Sequence, residues 1–229
     1  MRERFLKDEG GFTLPEMLVT TMIMIVVLFA LYSIFDMSLR VYSFGNNKVE
    51  AMESARVGME KMEREIRGAY KYNNDSLQTH LFFTTASPTT ALAVPPTTVA
   101  QLTFGNELGA GDGVITCGFP SCEYITYKLT DGASGTTACT AASVTCTLRR
   151  VNTADSTQAG EPVVENVAPP TIANPNRGLS FTFLRSNGGA PANEGEIGAV
   201  LIKLNVVVKQ GIGNAGTQEL TTAVDLRNR

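Results

Sequence analysis

The sequence predicts an α+β protein in which one long N-terminal helix packs on a mainly antiparallel β-sheet. Three observations predict this fold class. Residues 17–35 form an uncharged apolar run, residues 52–69 carry an apolar stripe at helical spacing, and short β-like segments occupy much of the rest of the 229 residues. A helix followed by a series of strands is typical of an α+β domain, because the helix buries its apolar face against the sheet.

The first element is an apolar segment of membrane length. Its nineteen residues, 17–35, lie between Glu16 on one side and Asp36 on the other. As a helix this run spans ~28 Å, close to the roughly 30 Å hydrocarbon core of a bilayer. A signal peptide has a shorter apolar core followed by a small-residue cleavage pattern, which residues 29–38 lack. We therefore expect a membrane span that stays on the mature protein.

The leader, MRERFLKDEGG, fixes the expected orientation of this span. It occupies residues 1–11 and contains Arg2, Arg4 and Lys7. Basic residues favour the cytoplasmic side of a membrane, whereas acidic residues contribute little to orientation. We therefore expect a single-pass protein of the cytoplasmic membrane, with its large C-terminal part outside.

Glu16 lies about one turn inside the apolar helix, where an ionised carboxylate is costly unless it is paired. One explanation is a capping box, in which Thr13 caps the helix and Glu16 reaches back to the cap. Pro15 suits this position, because the N–H that proline lacks has no helical partner in the first turn. The capping box explains the spacing of the acid but not the paired glycines that precede it.

A second explanation, compatible with the first, is cleavage between Gly11 and Phe12. Such a cut creates a cationic α-amino group on Phe12. The Glu16 carboxylate of a neighbouring copy can neutralise that amine, so that two charges that are each costly in lipid become tolerable as a pair. This explanation predicts side-by-side packing of processed helices.

The stretch GFTLPE, followed at once by the apolar run, resembles the class III signal of type IV prepilins and type II secretion pseudopilins. The resemblance implies that a membrane prepilin peptidase cuts after Gly11 and N-methylates Phe12. It also implies that Glu16 guides subunits into a growing fibre. One difference is that LFALYSIF contains no helix-bending proline, which many major pilins have deeper in the span.

The C-terminal half extends the resemblance. Its segments CTLRRVN, EPVVENV, LSFTFLRSNGG, IGAVLIKLNVVVKQ and LTTAVDLRNR are similar to the J-type minor pseudopilin and to the W-type minor pilin. The resemblance implies a structural subunit, not an enzyme, that assembles into a type IV pilus or type II secretion-like fibre and helps to initiate it. Its implied partners are the prepilin peptidase, other minor and major pilins or pseudopilins, the assembly platform and membrane lipid.

Other functions remain open at this point. The chain could be a membrane-anchored extracellular binding module that never polymerises, or a major pilin. The resemblance also does not choose between an adhesion or twitching pilus, a DNA-uptake pilus and a secretion machine.

The second half of the predicted helix is amphipathic. Its apolar residues recur at spacings of three and four, which places them in one stripe that we expect to pack on a sheet of the same chain. Opposite charges at Glu60–Arg64 and Glu63–Arg67 have the supportive i, i+4 spacing. The stripe consists of Met52, Ala55, Met59, Met62, Ile66 and Ala69.

The boundaries expected from these patterns divide the chain into four parts. They are the removed leader 1–11, the span or fibre-core helix 12–35, the amphipathic helix 36–72 and an external domain 73–229 with long loops. The strands predicted in the external domain are Val99–Phe104, Glu123–Leu129, Cys146–Val151, Leu179–Leu184, Val200–Val208 and Glu219–Leu226.

The four cysteines all lie in the predicted external domain, where disulfides persist. Their spacing lacks the C-x2-C pairs of common zinc sites, and His80 is the single histidine, so zinc binding is not expected. We favour the local pairs Cys117–Cys122 and Cys139–Cys146. Other pairings, and one pair of free thiols, remain open.

The sequence offers few residues for catalysis. A single histidine argues against Ser-His and Cys-His chemistry, and the glycine-rich 109–113 lacks the pattern of a phosphate loop. The acids Glu107, Asp112 and Asp131 remain candidate calcium ligands, although their spacing lacks the EF-hand pattern. The net charge of −3 argues against a general nucleic-acid binder, and we expect Arg149–Arg150 to be solvated at a strand end. We expect no enzyme activity and no cofactor.

Overall fold

Over the residues that it describes, the computed structural model has one helix and eleven strands, which gives the α+β fold predicted from the sequence. It describes residues 11–69, 82–83, 98–106, 117–118, 121–132, 135–151, 159–192, 196–209 and 215–226. Helix α1 spans Leu14–Arg67. The strands are β1 Phe82–Phe83, β2 Thr98–Val99, β3 Leu102–Gly105, β4 Cys117–Gly118, β5 Ser121–Cys122, β6 Tyr124–Asp131, β7 Cys146–Val151, β8 Glu161–Val167, β9 Leu179–Leu184, β10 Ala199–Lys209 and β11 Ala215–Asp225.

The chain divides into two compact units, Met1–Asn46 and Asn47–Arg229. In the first unit the described residues beyond residue 13 are all helical. The most apolar 18-residue window of α1 has a mean hydropathy of 2.5, and none of that window is buried. Among the described residues, α1 is the one helix long and apolar enough to cross a membrane.

The second unit is built on a sheet whose strand pairs are all antiparallel. Within the described residues its order is β1-β3-β6-β7-β8-β10-β9-β2, and β11 pairs with the other side of β10. Strand β10 changes partner along its length. Residues Ala199–Leu204 pair with β9, whereas Val206 pairs with Val167 of β8.

Asn205 of β10 forms hydrogen bonds at the position where the partner of β10 changes from β9 to β8. Its backbone N–H donates to the Gly178 carbonyl at 2.9 Å, and its carbonyl accepts from Ala168 N at 2.8 Å. Its side-chain Nδ2 donates to the Arg177 carbonyl at 2.6 Å. One asparagine thus satisfies backbone groups at both ends of the loop that joins β8 to β9.

The predicted apolar stripe of α1 packs against the sheet. Five of its six residues are buried, and Met52 is half-buried. Gly58 also lies in this buried face. A Cβ atom at Gly58 would overlap Val164 Cγ2 and lie 3.2 Å from Val163 Cγ1, so the helix backbone approaches β8 more closely than a side chain permits.

Helix α1 ends at Arg67 rather than at the expected residue 72. Gly68 N donates to the Arg64 carbonyl at 3.3 Å, and Ala69 N donates to the Ile66 carbonyl at 3.0 Å. The expected Glu63–Arg67 ion pair is present, whereas Glu60 pairs with Arg56 at 3.2 Å.

Several strand assignments differ from the sequence prediction, and the two-residue strands β1, β4 and β5 were not predicted. The expected strand Val99–Phe104 is two strands with different partners, since β2 pairs with β9 and β3 pairs with β6. Strand β8 was not predicted, because Pro162 cannot donate a ladder hydrogen bond and charged Glu165 interrupts its apolar run. The β7–β8 pairing accommodates the proline through register shifts near Leu148.

Candidate functional site

The start of α1 is organised by the backbone of Thr13. Its carbonyl accepts from Glu16 N at 3.0 Å and from Met17 N at 3.2 Å. Leu14 is therefore the first helical residue, and Pro15 falls in the first turn, where a missing N–H leaves no bond unmade. Thr13 occupies the cap position that the sequence predicts.

The residues on each side of the predicted cleavage bond are accessible. Gly11 and Phe12 precede the helix in irregular backbone. A Cβ atom built at Gly11 would meet no other atom within 4 Å. The Phe12 side chain is 75% exposed. Nothing among the described residues obstructs the approach of another protein to this bond.

Most polar side chains of the apolar half of α1 are satisfied within the helix. Thr20 Oγ1 donates to the Met17 carbonyl at 3.0 Å, and Thr21 Oγ1 donates to the Leu18 carbonyl at 2.9 Å. Further along, Ser33 Oγ donates to the carbonyl four residues earlier at 3.0 Å. Hydroxyl groups bonded in this way are tolerated in lipid.

The charged residues at the two ends of the apolar run differ in whether they are paired within the helix. At the C-terminal end, Asp36 and Arg40 form an i, i+4 ion pair at 2.8 Å, so their charges cancel within the helix. At the N-terminal end, Glu16 is exposed and has no ion-pair partner among the described residues. Its carboxylate is therefore available to a cation that the described chain does not supply.

The comparisons add no relative. The chain matches no family model, no curated protein and no solved structure.

The structure describes one of the two expected disulfides. Cys139 and Cys146 are bonded, with their Cα atoms 5.8 Å apart. This bond closes the loop between β6 and β7, and Cys146 lies in the hydrophobic core. Cys117 and Cys122 face each other across the β4–β5 pair, but only their backbone is described, so that disulfide stays a prediction.

A buried ionic network in the second unit was missed by sequence reasoning. Arg150 Nε donates to both carboxylate oxygens of Glu65 at 2.9 Å, and Tyr127 Oη donates to Glu65 Oε2 at 2.6 Å. The Arg150 and Glu65 side chains are each only 12% exposed. Burial, reinforced by the Glu65 charge, raises the pKa of Tyr127 far above its usual value.

The expectation that Arg149 and Arg150 are solvated is therefore wrong. Arg150 binds Glu65, and Arg149 Nη1 donates to the Gly160 carbonyl at 3.1 Å. The alternation of β7 contained the relevant signal, because Arg150 shares a strand face with Cys146 and Leu148, both of which are buried. Side chains two residues apart point to the same side of a sheet.

The described residues contain no group of three or more His, Cys, Asp or Glu side chains placed to hold a metal ion. Two of the acids considered for calcium, Glu107 and Asp112, lie outside the described residues, as do the glycine-rich 109–113 and His80. The candidate functional site that we consider further is the start of α1, formed by Gly11, Phe12 and Glu16.

Proposed function

We propose that this chain is a minor pilin or pseudopilin, a processed structural subunit that assembles into a type IV pilus or type II secretion-like fibre. The observation that carries the proposal is the Glu16 carboxylate, which stands without an ion-pair partner among the described residues at the start of a membrane-length apolar helix. A chain that keeps an unpaired acid there incurs an energetic cost in lipid, which intermolecular pairing removes.

Processing supplies the partner for that acid. A prepilin peptidase hydrolyses the peptide bond between Gly11 and Phe12, which leaves an α-amino group on Phe12. N-methylation of this amine keeps it basic and cationic. The openness around Gly11 and the exposure of Phe12 support this step, because a protease must surround the bond that it cuts.

Assembly then pairs the Phe12 amine with a Glu16 carboxylate of an adjacent subunit. In a medium of low dielectric constant the attraction between two such charges is much stronger than in water. The pairing therefore favours a register in which the apolar helices of neighbouring subunits pack side by side. The partners are other minor and major pilins or pseudopilins, together with the assembly platform and membrane lipid.

A minor role fits the size and irregularity of the external part of the chain. A bulk subunit repeats at every step of a helical fibre, where long loops crowd its neighbours. A subunit used once or a few times escapes this constraint and helps to initiate the fibre. Before assembly it would lie in the cytoplasmic membrane with its C-terminal domain outside.

The test combines N-terminal mass spectrometry with fibre proteomics in a host that has an active prepilin peptidase. We expect mature protein to begin at N-methyl-Phe12 and to be scarce in sheared fibres relative to the main pilin. The Glu16→Ala variant should insert into the membrane yet be lost from fibres, whereas Glu50→Ala, an exposed acid on the same helix, should assemble normally.

Each alternative predicts a different outcome. An intact leader together with normal surface display of Glu16→Ala would indicate a membrane-anchored binding module that never polymerises. Processing with this chain as the most abundant fibre protein would indicate a major pilin.

A further inference from the structure

Strand β11 forms a long open edge of the sheet. All eleven of its residues pair with β10 in continuous register, from Ala199↔Asp225 to Lys209↔Ala215. Within the described residues β11 has no second neighbour. A strand of this length spans ~37 Å at about 3.4 Å per residue. Its outer side therefore presents a long row of N–H and C=O groups that can pair with another strand.

The other open edges of the described sheet are short or obstructed. Strands β1 and β2 have two residues each. Strand β8 pairs with β10 only at Val167, and the rest of it contains Pro162, which lacks an N–H, exposed Glu161 and Glu165, and Asn166 with a φ of 57°. These are the features by which proteins discourage edge-to-edge pairing.

Strand β11 lacks the proline and the positive-φ residue of β8, although it too carries two exposed acids, Glu219 and Asp225. It contains no proline, no lysine and no register shift against β10. Among the described strands, β11 therefore offers the longest continuous edge for pairing with another strand.

The exposed face of β11 indicates the chemistry of a partner. Its side chains alternate, and those that are exposed are Thr217, Glu219, Thr221, Ala223 and Asp225. Lys203 Nζ lies 3.8 Å from the Glu219 carboxylate and offsets part of its charge. Asp225 has no ion-pair partner among the described residues. The face is therefore uncharged at three positions and acidic at two.

We propose that the β11 edge binds an extended strand of a different protein subunit, which carries Lys or Arg on the face that Glu219 and Asp225 share. Backbone hydrogen bonds along β11 supply the affinity, and the two acids select a basic strand. This mode of recognition is strand addition to an open sheet edge. The inference goes beyond the proposed function and needs neither cleavage at Gly11 nor pairing through Glu16.

Charge disfavours a second copy of this chain as the occupant. A parallel in-register pair places Glu219 opposite Glu219. An antiparallel pair centred on Thr222 places Glu219 opposite Asp225, and one centred on Thr221 still gathers four carboxylates on one face. Like charges opposite each other destabilise a strand pair. Basic side chains on a partner strand would instead form favourable ion pairs with Glu219 and Asp225.

The test measures binding of two synthetic strands to the full chain in detergent micelles. One is an alternating Thr-Val peptide with two lysines six residues apart on one face, and the other has glutamates in place of the lysines. Fluorescence anisotropy at low ionic strength should show the lysine peptide binding at least ten-fold more tightly.

Two sets of variants localise the binding. Neighbouring residues of a strand direct their N–H groups to opposite sides, so one of Thr221→Pro and Thr222→Pro removes only an outer donor. Unfolding measurements identify it as the variant that keeps wild-type stability, and it should weaken lysine-peptide binding at least ten-fold. The exposed reversal Glu219→Lys with Asp225→Lys should reverse the peptide preference even if neither proline variant folds.

The proposal is overturned if the lysine peptide does not bind, if both peptides bind equally, or if the charge reversal leaves the preference unchanged. A dimer of the full chain that the outer proline variant dissociates would assign the edge to a second copy instead. Since the peptides bind independently of processing and fibre assembly, failure here is distinguishable from failure of the proposed function.

Discussion

Arg150 on strand β7 donates from Nε to both carboxylate oxygens of Glu65 on α1, at 2.9 Å each. The pair joins the helix to the sheet through charges that are almost fully removed from water. Removing either charge should destabilise the fold, because the remaining buried ion keeps its full desolvation cost without the compensating attraction.

The first prediction follows from this pair. Arg150→Met should lower the free energy of unfolding by about 3–5 kcal/mol, since it leaves Glu65 buried and without its cation. Arg56→Met is the matched control, because Arg56 pairs with Glu60 in an exposed setting and should cost at most about 1 kcal/mol. Guanidinium unfolding of the full chain in detergent, followed by tyrosine fluorescence, compares the two. Equal decreases in the free energy of unfolding for the two variants would contradict the claim that the buried ion pair matters more than the exposed one.

The second prediction concerns alkaline pH. Because the folded protein raises the pKa of Tyr127 above its unfolded value of 10.0, the unfolded chain releases this proton first. The contribution of Tyr127 to stability is therefore complete below pH 10.0 and is lost progressively as the pH rises above it. Unfolding measured across this range should show a steeper alkaline loss for the wild type than for Tyr127→Phe. Parallel pH profiles would contradict the raised pKa.

The third prediction tests the contact between α1 and β8. Gly58→Ala should lower the free energy of unfolding by about 1–3 kcal/mol, because the new methyl group must displace Val164. Gly45 is the matched control on the same helix, since a Cβ there meets no atom within 4 Å. Gly45→Ala should be neutral or stabilise the helix by up to about 1 kcal/mol. Near-ultraviolet circular dichroism during thermal unfolding measures both variants.

The fourth prediction concerns the cysteines. Replacing Cys139 and Cys146 with serine should lower the free energy of unfolding by about 2–3 kcal/mol, as expected for closure of a short loop. Mass mapping without reductant should also recover a peptide that links Cys117 to Cys122. A map with free Cys117 and Cys122 would contradict the second pairing and leave the first intact.

Sequence periodicity predicted the parts of the fold in which one face of an element is uniformly apolar. The α1 stripe and strands β9 and β10 are of this kind. Periodicity failed at β8, where Pro162 and Glu165 interrupt the apolar pattern and where Gly58 of α1 approaches Val164 closely. That approach involves residues about a hundred positions apart, which local pattern does not encode.

The start of α1 and the buried Glu65 network differ in how far they could be predicted from the sequence. Gly11, Phe12 and Glu16 are contiguous, so their relationship could be formulated from spacing and charge alone. The Glu65–Arg150–Tyr127 network joins three separate elements, and its members each resemble ordinary surface or core residues. Only the fold brings them together, although the position of Arg150 on the inner face of β7 was visible in the alternation.

The hydroxyl bonds of the apolar helix have a consequence for its transfer between environments. Because Thr20, Thr21 and Ser33 donate to carbonyls of their own helix, moving this segment out of a bilayer breaks none of these bonds and requires no new ones. Hydrophobic area and the charge state around Glu16 then dominate the work of extraction. The work needed to pull such a helix out of a bilayer would therefore change in one large step when the Glu16 carboxylate is neutralised. It would change only gradually with the apolar area of the segment.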